Sequence, residues 1–174
     1  MKIAVSGAHR TGKSTLVAEL CSVLPGYSCY GEPYHLLEEE GHIFPELPGL
    51  EDFELQLDYS IELISSSDDN VIFDRCPVDF LAYMMTYADF DDYDLQAWLP
   101  KVLNALEQLD LLVLVPIEEP DLIVCPEWED PELRIRVNDE LYSLILGDIG
   151  DFHVPVVTVN GAVSERVHQV LENM

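Results

Sequence analysis

Gly7-Ala8-His9-Arg10-Thr11-Gly12-Lys13-Ser14, followed by Thr15, is the stretch of this 174-residue chain whose residue types and spacing point most directly to chemistry. It reads G-x-x-x-x-G-K-[ST], the pattern of a phosphate-binding loop. Gly7 and Gly12 let the backbone curl until successive N–H groups converge on phosphate oxygens. A helix starting behind the loop adds about half a positive charge at its N-terminus. Lys13, expected in an exposed loop, can reach the β- and γ-phosphates, and the Ser14 hydroxyl can take a coordination position on Mg²⁺. Ala8, His9, Arg10, Thr11 and Thr15 complete the cradle. The chemistry implied is binding of a nucleoside triphosphate with Mg²⁺. The bland alternative, a glycine-containing turn between strand and helix, does not account for six matching features in register.

Two carboxylates and three more arginines extend the pattern. Val71-Ile72-Phe73-Asp74 is an apolar strand delivering a carboxylate, the arrangement that places Asp74 with Ser14 in a Mg²⁺ shell. Arg75 follows at once. Glu32 stands at the end of a shorter strand and before Pro33. In an open α/β sheet the carboxyl ends of parallel strands face the ligand crevice, which would bring Glu32 near the phosphates. A surface glutamate before a turn is the competing reading. Arg134 and Arg136 lie in an acidic late segment. Asp and Glu number 34 against 8 Lys and Arg, a formal net charge of −26. Five of those eight cations (Arg10, Lys13, Arg75, Arg134 and Arg136) fall where a phosphate site would need them. The acidic remainder repels nucleic acid and anionic membranes, so neither is an expected partner.

These residues need elements to hold them. Lys2-Ile3-Ala4-Val5-Ser6 suits a buried parallel strand, and Leu16, Val17 and Leu20 recur at helical spacing behind the loop. Leu24-Pro25-Gly26 stops that helix, residues 27–31 form a short strand, and residues 34–40 a short helix before an irregular loop at 42–50. Over 53–63, Phe53, Leu55, Leu57, Tyr59, Ile61 and Leu63 alternate like a strand, while Phe53, Leu57, Ile61 and Ile64 also share a helical face. Length and Leu/Glu/Gln content favour a helix over 51–66. Pro77 opens a helix running to about Ala88, and aspartates 89, 91, 92 and 94 form an acidic, solvated loop. Leu95, Trp98, Leu99, Val102, Leu103 and Leu106 share a helical face that Pro100 kinks or restarts. Leu111-Leu112-Val113-Leu114-Val115 is a fourth strand, residues 131–146 a helix, and Val156-Val157-Thr158-Val159 a fifth strand. Asn160-Gly161 and a last helix from Ser164 follow. Residues 116–131 are acidic and proline-rich, with 122–125 as a stretch that can pack. Five strands alternating with helices predict one α/β domain over 1–174, a mainly parallel sheet covered on both faces.

No run approaches a membrane span and the N-terminus reads as a strand, so a cytoplasmic protein is expected. Cys21, Cys29, Cys76 and Cys125 are too scattered for a metal-site spacing and are expected to be free, mainly buried thiols. A monomer and a homodimer both remain open.

With these residues placed, the chain resembles the small-molecule branch of the P-loop kinases. It is most similar to AAA-domain ATPases of the nicotinamide-riboside-kinase-like kind, and more distantly to deoxynucleoside and thymidylate kinases. The resemblance runs through Gly7 to Thr15, Glu32-Pro33, Asp74-Arg75, the Arg134/Arg136 segment and Asn160-Gly161. It implies that Glu32 accepts the acceptor hydroxyl's proton and that Arg75 lies beside the reacting phosphate. It also implies that Arg134 or Arg136 sits on a lid over residues 126–137 that closes on the donor, and that Asn160 and Gly161 border its base. Asp-Arg-Cys stands here where deoxynucleoside kinases have Glu-Arg-Ser, which leaves nucleoside specificity open. The expected activity is transfer of the γ-phosphoryl group of ATP to a small acceptor of nucleoside or nucleotide type. Tyr34, Gln56, Tyr83 and Trp98 are candidate contacts to an acceptor ring. The alternative is a regulatory ATPase or GTPase-like switch without an acceptor. ATP rather than GTP is the expected donor, because no Asn-Lys-x-Asp tetrapeptide occurs to read guanine.

Overall fold

The computed structural model describes residues 1–87, 89–90, 92–121, 123–147 and 153–174. Its centre is a sheet of five parallel strands in the order β2-β3-β1-β4-β5. In chain order the elements are β1 (Lys2–Ser6), α1 (Lys13–Val23), β2 (Ser28–Tyr30), α2 (Pro33–Glu39) and α3 (Leu50–Ser66). Then come β3 (Val71–Asp74), α4 (Pro77–Met85), α5 (Asp92–Leu106), β4 (Leu111–Leu114), a 3-10 turn (Glu127–Glu129), α6 (Pro131–Ile145), β5 (Val156–Thr158) and α7 (Val163–Leu171).

The two-residue period of the strands divides the core. Ile3, Val5, Ile72, Leu111 and Val113 pack with Leu16 and Leu20 of α1 and Val170 of α7. Their alternates Ala4, Phe73, Leu112 and Leu114 pack on the other face with residues of α3, α4 and α6. Burial on both faces explains why these strands read as unbroken apolar runs. With β1 central, the chain turns to one side for β2 and β3 and to the other for β4 and β5. The crevice therefore opens at the carboxyl end of β1, where the glycine-rich loop begins.

The ambiguous stretch is a helix, α3. Its buried residues Phe53, Leu57, Ser60 and Ile64 follow the helical period, and Asp52 accepts from the Gly49 amide to cap its start. The other differences have local causes. α4 ends at Met85, and Ala88, its expected end, lies outside the described residues, as do Asp91 and Leu122. Asp92 opens α5 and Asp94 lies within it, so the acidic loop is shorter than expected, and the helix runs on through Pro100. Within 122–125, Val124 is exposed rather than packed. Cys21 and Cys29 are joined in a disulfide and are not free thiols. β2 returns beside the last turns of α1 and brings their Cα atoms to 6.4 Å. Cys76 is free and buried, and Cys125 is free and half-buried. No helix of the described residues is long and apolar enough to cross a membrane.

Candidate active site

The loop between β1 and α1 is shaped from outside by cations that grip its carbonyl oxygens. Arg75 Nη1 donates to the Gly7 carbonyl at 3.1 Å, and Lys13 Nζ to that of Ala8 at 2.7 Å. Arg134 takes the carbonyls of His9 (3.0 Å) and Arg10 (2.8 Å), and Arg166 takes that of Thr11 (2.7 Å). A trans peptide points its N–H opposite to its C=O. With the carbonyls of His9, Arg10 and Thr11 held outward, the amides of Arg10, Thr11 and Gly12 are aimed into the concavity. The two glycines are required. A Cβ on Gly7 would collide with the Val115 carbonyl, and Gly12 has φ 90° and faces Arg166.

Lys13 is buried, contrary to its expected place in an exposed loop, because it is the first residue of α1 and folds back under the loop. Burial, reinforced by the nearby Arg75 charge, lowers its amine to about 8. The carboxylates of Glu32, Asp79 and Asp74 oppose that shift, and an anion bound over the loop would oppose it further.

A second network ties the loop to β3 and α4. The Arg75 guanidinium pairs with Glu32 through Nε and lies 3.5 Å from Asp79. Burial works against its charge, yet Glu32, Asp79 and Asp74 hold it well above its usual range. Burial alone would raise the Glu32 carboxyl, but Arg75 and Lys13 outweigh it and hold the group below the usual carboxylate range. Asp79, fully buried, caps α4 at the Cys76 amide and accepts from the Gly7 amide at 2.9 Å.

His9 is half-buried against Tyr83 and the 3-10 turn. Its Nε2 faces the Glu129 carbonyl at 2.7 Å, an acceptor only, so the proton sits on Nε2 and Nδ1 accepts from Tyr83 Oη at 2.9 Å. Burial and the Arg75, Lys13 and Arg134 charges lower this imidazole against the opposing pull of the Glu129 carbonyl, and it is neutral at pH 7.

The residues present fit Mg²⁺. Asp74 ends β3 with its Oδ1 buried and without a hydrogen-bond partner among the described residues, while the carboxylate is hydrogen-bonded to Ser14. Burial and then Glu32 raise its carboxyl, against Ser14, Lys13 and Arg75. One hydroxyl and one carboxylate, with no cluster of three or more His, Cys, Asp or Glu among the described residues, suit a cation that keeps waters and phosphate oxygens.

Three hollows meet here. One of about 700 Å³ lies over the loop and is bordered by Lys13, Ser14, Thr15, Glu32 and Arg75. A smaller one of about 190 Å³ lies behind it, between Gly12, Thr15, Pro116, Gly161 and Arg166. The third, about 530 Å³, is an aromatic cleft where Tyr34, Phe53, Gln56, Phe80 and Tyr83 meet Glu32 and Arg75.

The structure brings together residues 7–15, Glu32, Asp74, Arg75, Arg134 and Gly161. Arg136 is exposed and, two residues from Arg134, lies on the opposite side of α6. Gly161 borders the rear hollow, whereas the backbone of Asn160 is bonded to Gln169 at the surface. Tyr34, Gln56 and Tyr83 line the aromatic cleft. Trp98 does not, since it packs on the core from α5 with Lys101 over its ring.

Sequence reasoning missed Asp79, Arg166 and its partner Glu118, and the role of Glu129. Asp79 had a signal, an acidic residue three after a helix N-cap. Arg166, with its partners Glu118 (2.9 Å) and the Gly161 carbonyl (2.9 Å), had none beyond being a cation in an acidic chain. Glu129, which pairs with Arg10, read only as one acidic residue among many.

A family model described as an AAA domain matches residues 2–166. No curated protein sequence matches the chain. Among solved structures, deoxyadenosine kinase from M. mycoides with bound dATP superposes with a TM-score of 0.65 at 18% identity, over 99% of this chain and 98% of that one. Thymidylate kinase from Candida albicans gives 0.65 at 18% identity, over 99% and 89%. The NadR protein in complex with NAD and AMP-PNP gives 0.67 at 20% identity, over 98% of this chain and 48% of that one.

Proposed function

The chain belongs to the AAA-domain family, and from that premise we propose that it is a P-loop phosphotransferase moving the γ-phosphoryl group of ATP to a small acceptor of nucleoside or nucleotide type. One observation carries the reading. The Glu32–Arg75 pair borders both the hollow over the phosphate loop and the aromatic cleft, so a hydroxyl held in the cleft meets a γ-phosphate held by the loop at a carboxylate. The similar structures lend support, since two are named as deoxyadenosine kinase and thymidylate kinase and the third is a complex with NAD and AMP-PNP.

Phosphoryl transfer asks a protein mainly for positioning and for neutralising charge. The amides of Arg10, Thr11 and Gly12 and the Lys13 amine hold the β- and γ-phosphates. The rear hollow beside Gly161 and Arg166 takes the base of the donor. Arg75 stabilises charge on the transferring group. Mg²⁺, held by Ser14 with Asp74, supplies further neutralisation of the phosphates when bound. Glu32, kept ionised by Arg75, aligns the acceptor hydroxyl. As a weak base it takes the proton late, when the forming bond has acidified the hydroxyl. Residues 126–137 act as the lid, joined to the loop through Glu129 on Arg10 and Arg134 on the loop carbonyls.

Glu32→Gln tests the reading. It keeps size and hydrogen bonding but removes the charge, so acceptor-dependent turnover is expected to fall about 10²–10⁴-fold while ATP affinity changes little. Measuring ATP consumption with and without a panel of nucleosides, monophosphates and nicotinamide riboside gives the baseline. A switch without an acceptor would show basal hydrolysis only, unchanged by every member of the panel.

A further inference from the structure

The class of acceptor follows from where the cations stand. The chain has eight Lys and Arg, all within the described residues. Three lie away from the cleft. Lys2 donates to the Ile64 carbonyl at the amino end of the sheet, Lys101 covers Trp98 on α5, and Arg136 is exposed on the outer side of α6. Three others are each matched to a carboxylate, Arg10 to Glu129, Arg134 to Asp121 and Arg166 to Glu118. Lys13 is buried under the phosphate loop, where a donor triphosphate occupies it.

Arg75 is therefore the one Lys or Arg side chain bordering the aromatic cleft, and it is held by Glu32, Asp79 and the Gly7 carbonyl. Glu32 and Glu129 also border that cleft, as does the His9 ring, whose two nitrogens are occupied by Tyr83 and Glu129. Both carboxylates are themselves paired, Glu32 with Arg75 and Glu129 with Arg10, so a phosphate dianion brought in by the acceptor would meet no unmatched cation. The chain's formal net charge of −26 repels it further. We infer that the acceptor carries no phosphate of its own. It is a neutral or cationic ring compound bearing a hydroxyl, a nucleoside rather than a nucleotide.

This inference rests on the phosphotransferase reading and narrows its substrate class. In the transfer, a bond forms between the acceptor oxygen and the γ-phosphorus as the bridging P–O bond to the β-phosphate breaks, giving ADP. The hydroxyl proton goes to Glu32 and then to water. The product acquires the charge that the cleft disfavours, so the same carboxylates promote its release.

The test uses the full chain with ATP and Mg²⁺ and compares matched pairs, adenosine with AMP, cytidine with CMP and thymidine with its monophosphate. Nicotinamide riboside supplies a ring with a fixed positive charge. At least one uncharged or cationic nucleoside is expected to be phosphorylated with kcat/KM at least about 100-fold above that of its monophosphate. Glu129→Gln, which removes one cleft carboxylate and frees Arg10, should narrow that gap by about three- to tenfold, read as the ratio of the two kcat/KM values so that any loss common to both acceptors from the lid contact cancels. A monophosphate turned over as well as its nucleoside, or a gap untouched by Glu129→Gln, overturns the inference and leaves the kinase reading standing. No acceptor-dependent turnover with any of these compounds overturns both.

Discussion

The phosphate loop and the aromatic cleft share His9, Glu32 and Arg75 at their border, yet they are built in opposite ways. The loop is a run of consecutive residues whose working groups are backbone amides. Its arginines act as scaffold, gripping carbonyls from behind while their own charges are matched by Asp79, Asp121 and Glu118. The cleft is made of side chains from α2, α3 and α4, with the 3-10 turn closing one side. A strongly acidic chain can thus keep an anion site by reserving five of its eight Lys and Arg for one short loop. The neighbouring cleft receives none to spare.

The sharpest way to break this contrast is Lys13→Ala. Turnover should fall about 10²–10³-fold, the scale for losing one preorganised charge contact to a transferring group. The fold should survive, because a buried amine lowered to about 8 is a charge the folded chain holds at a cost. Thermal unfolding within a few degrees of the parent, alongside the kinetic loss, would confirm the separation. Unchanged turnover would remove the phosphate loop from the mechanism.

Arg134 and Arg136 sharpen the contrast between scaffold and surface. Arg134→Ala removes two charged hydrogen bonds to the loop, and triphosphate affinity should weaken about 10- to 100-fold. Amide exchange across 126–137 should also accelerate. Arg136→Ala should change affinity less than about twofold, as expected for an exposed side chain. Calorimetric titration of both variants decides it, and equal losses would contradict the assignment of Arg134 as the one that holds the loop.

The smallest effect is in pH. Triphosphate binding favours the protonated Lys13 amine, so affinity should be level below about pH 8 and fall about tenfold per unit above it. Stability without nucleotide should move the other way. The unfolded chain keeps this proton up to the ordinary lysine value of 10.5, so the unfolded state binds more protons above about 8, and Lys13 contributes stability that grows as pH rises through that window. Both slopes should be lost in Lys13→Ala.

How far each part was legible follows the same division. Alternation of strands and helices is a local pattern, and the five strands read correctly because burial on both faces leaves continuous apolar runs. The 51–66 stretch carried both periods, its length and Leu/Glu/Gln content favoured the helix, and α3 bears that out. The cysteines misread because a scattered spacing says nothing about distance once β2 folds back on α1.

By itself, the sequence determined the phosphate loop and the α/β class. Glycine spacing and a following helix set the path of a backbone site within a few residues of chain. Only the tertiary structure decided which charges meet. Arg166 reaches the Thr11 carbonyl across 155 residues, Arg134 faces the loop while Arg136 faces water, and Glu32 meets Arg75 across 43. Such pairings depend on strand order and helix rotation, which bring distant side chains within hydrogen-bonding range and leave no trace in the spacing between them.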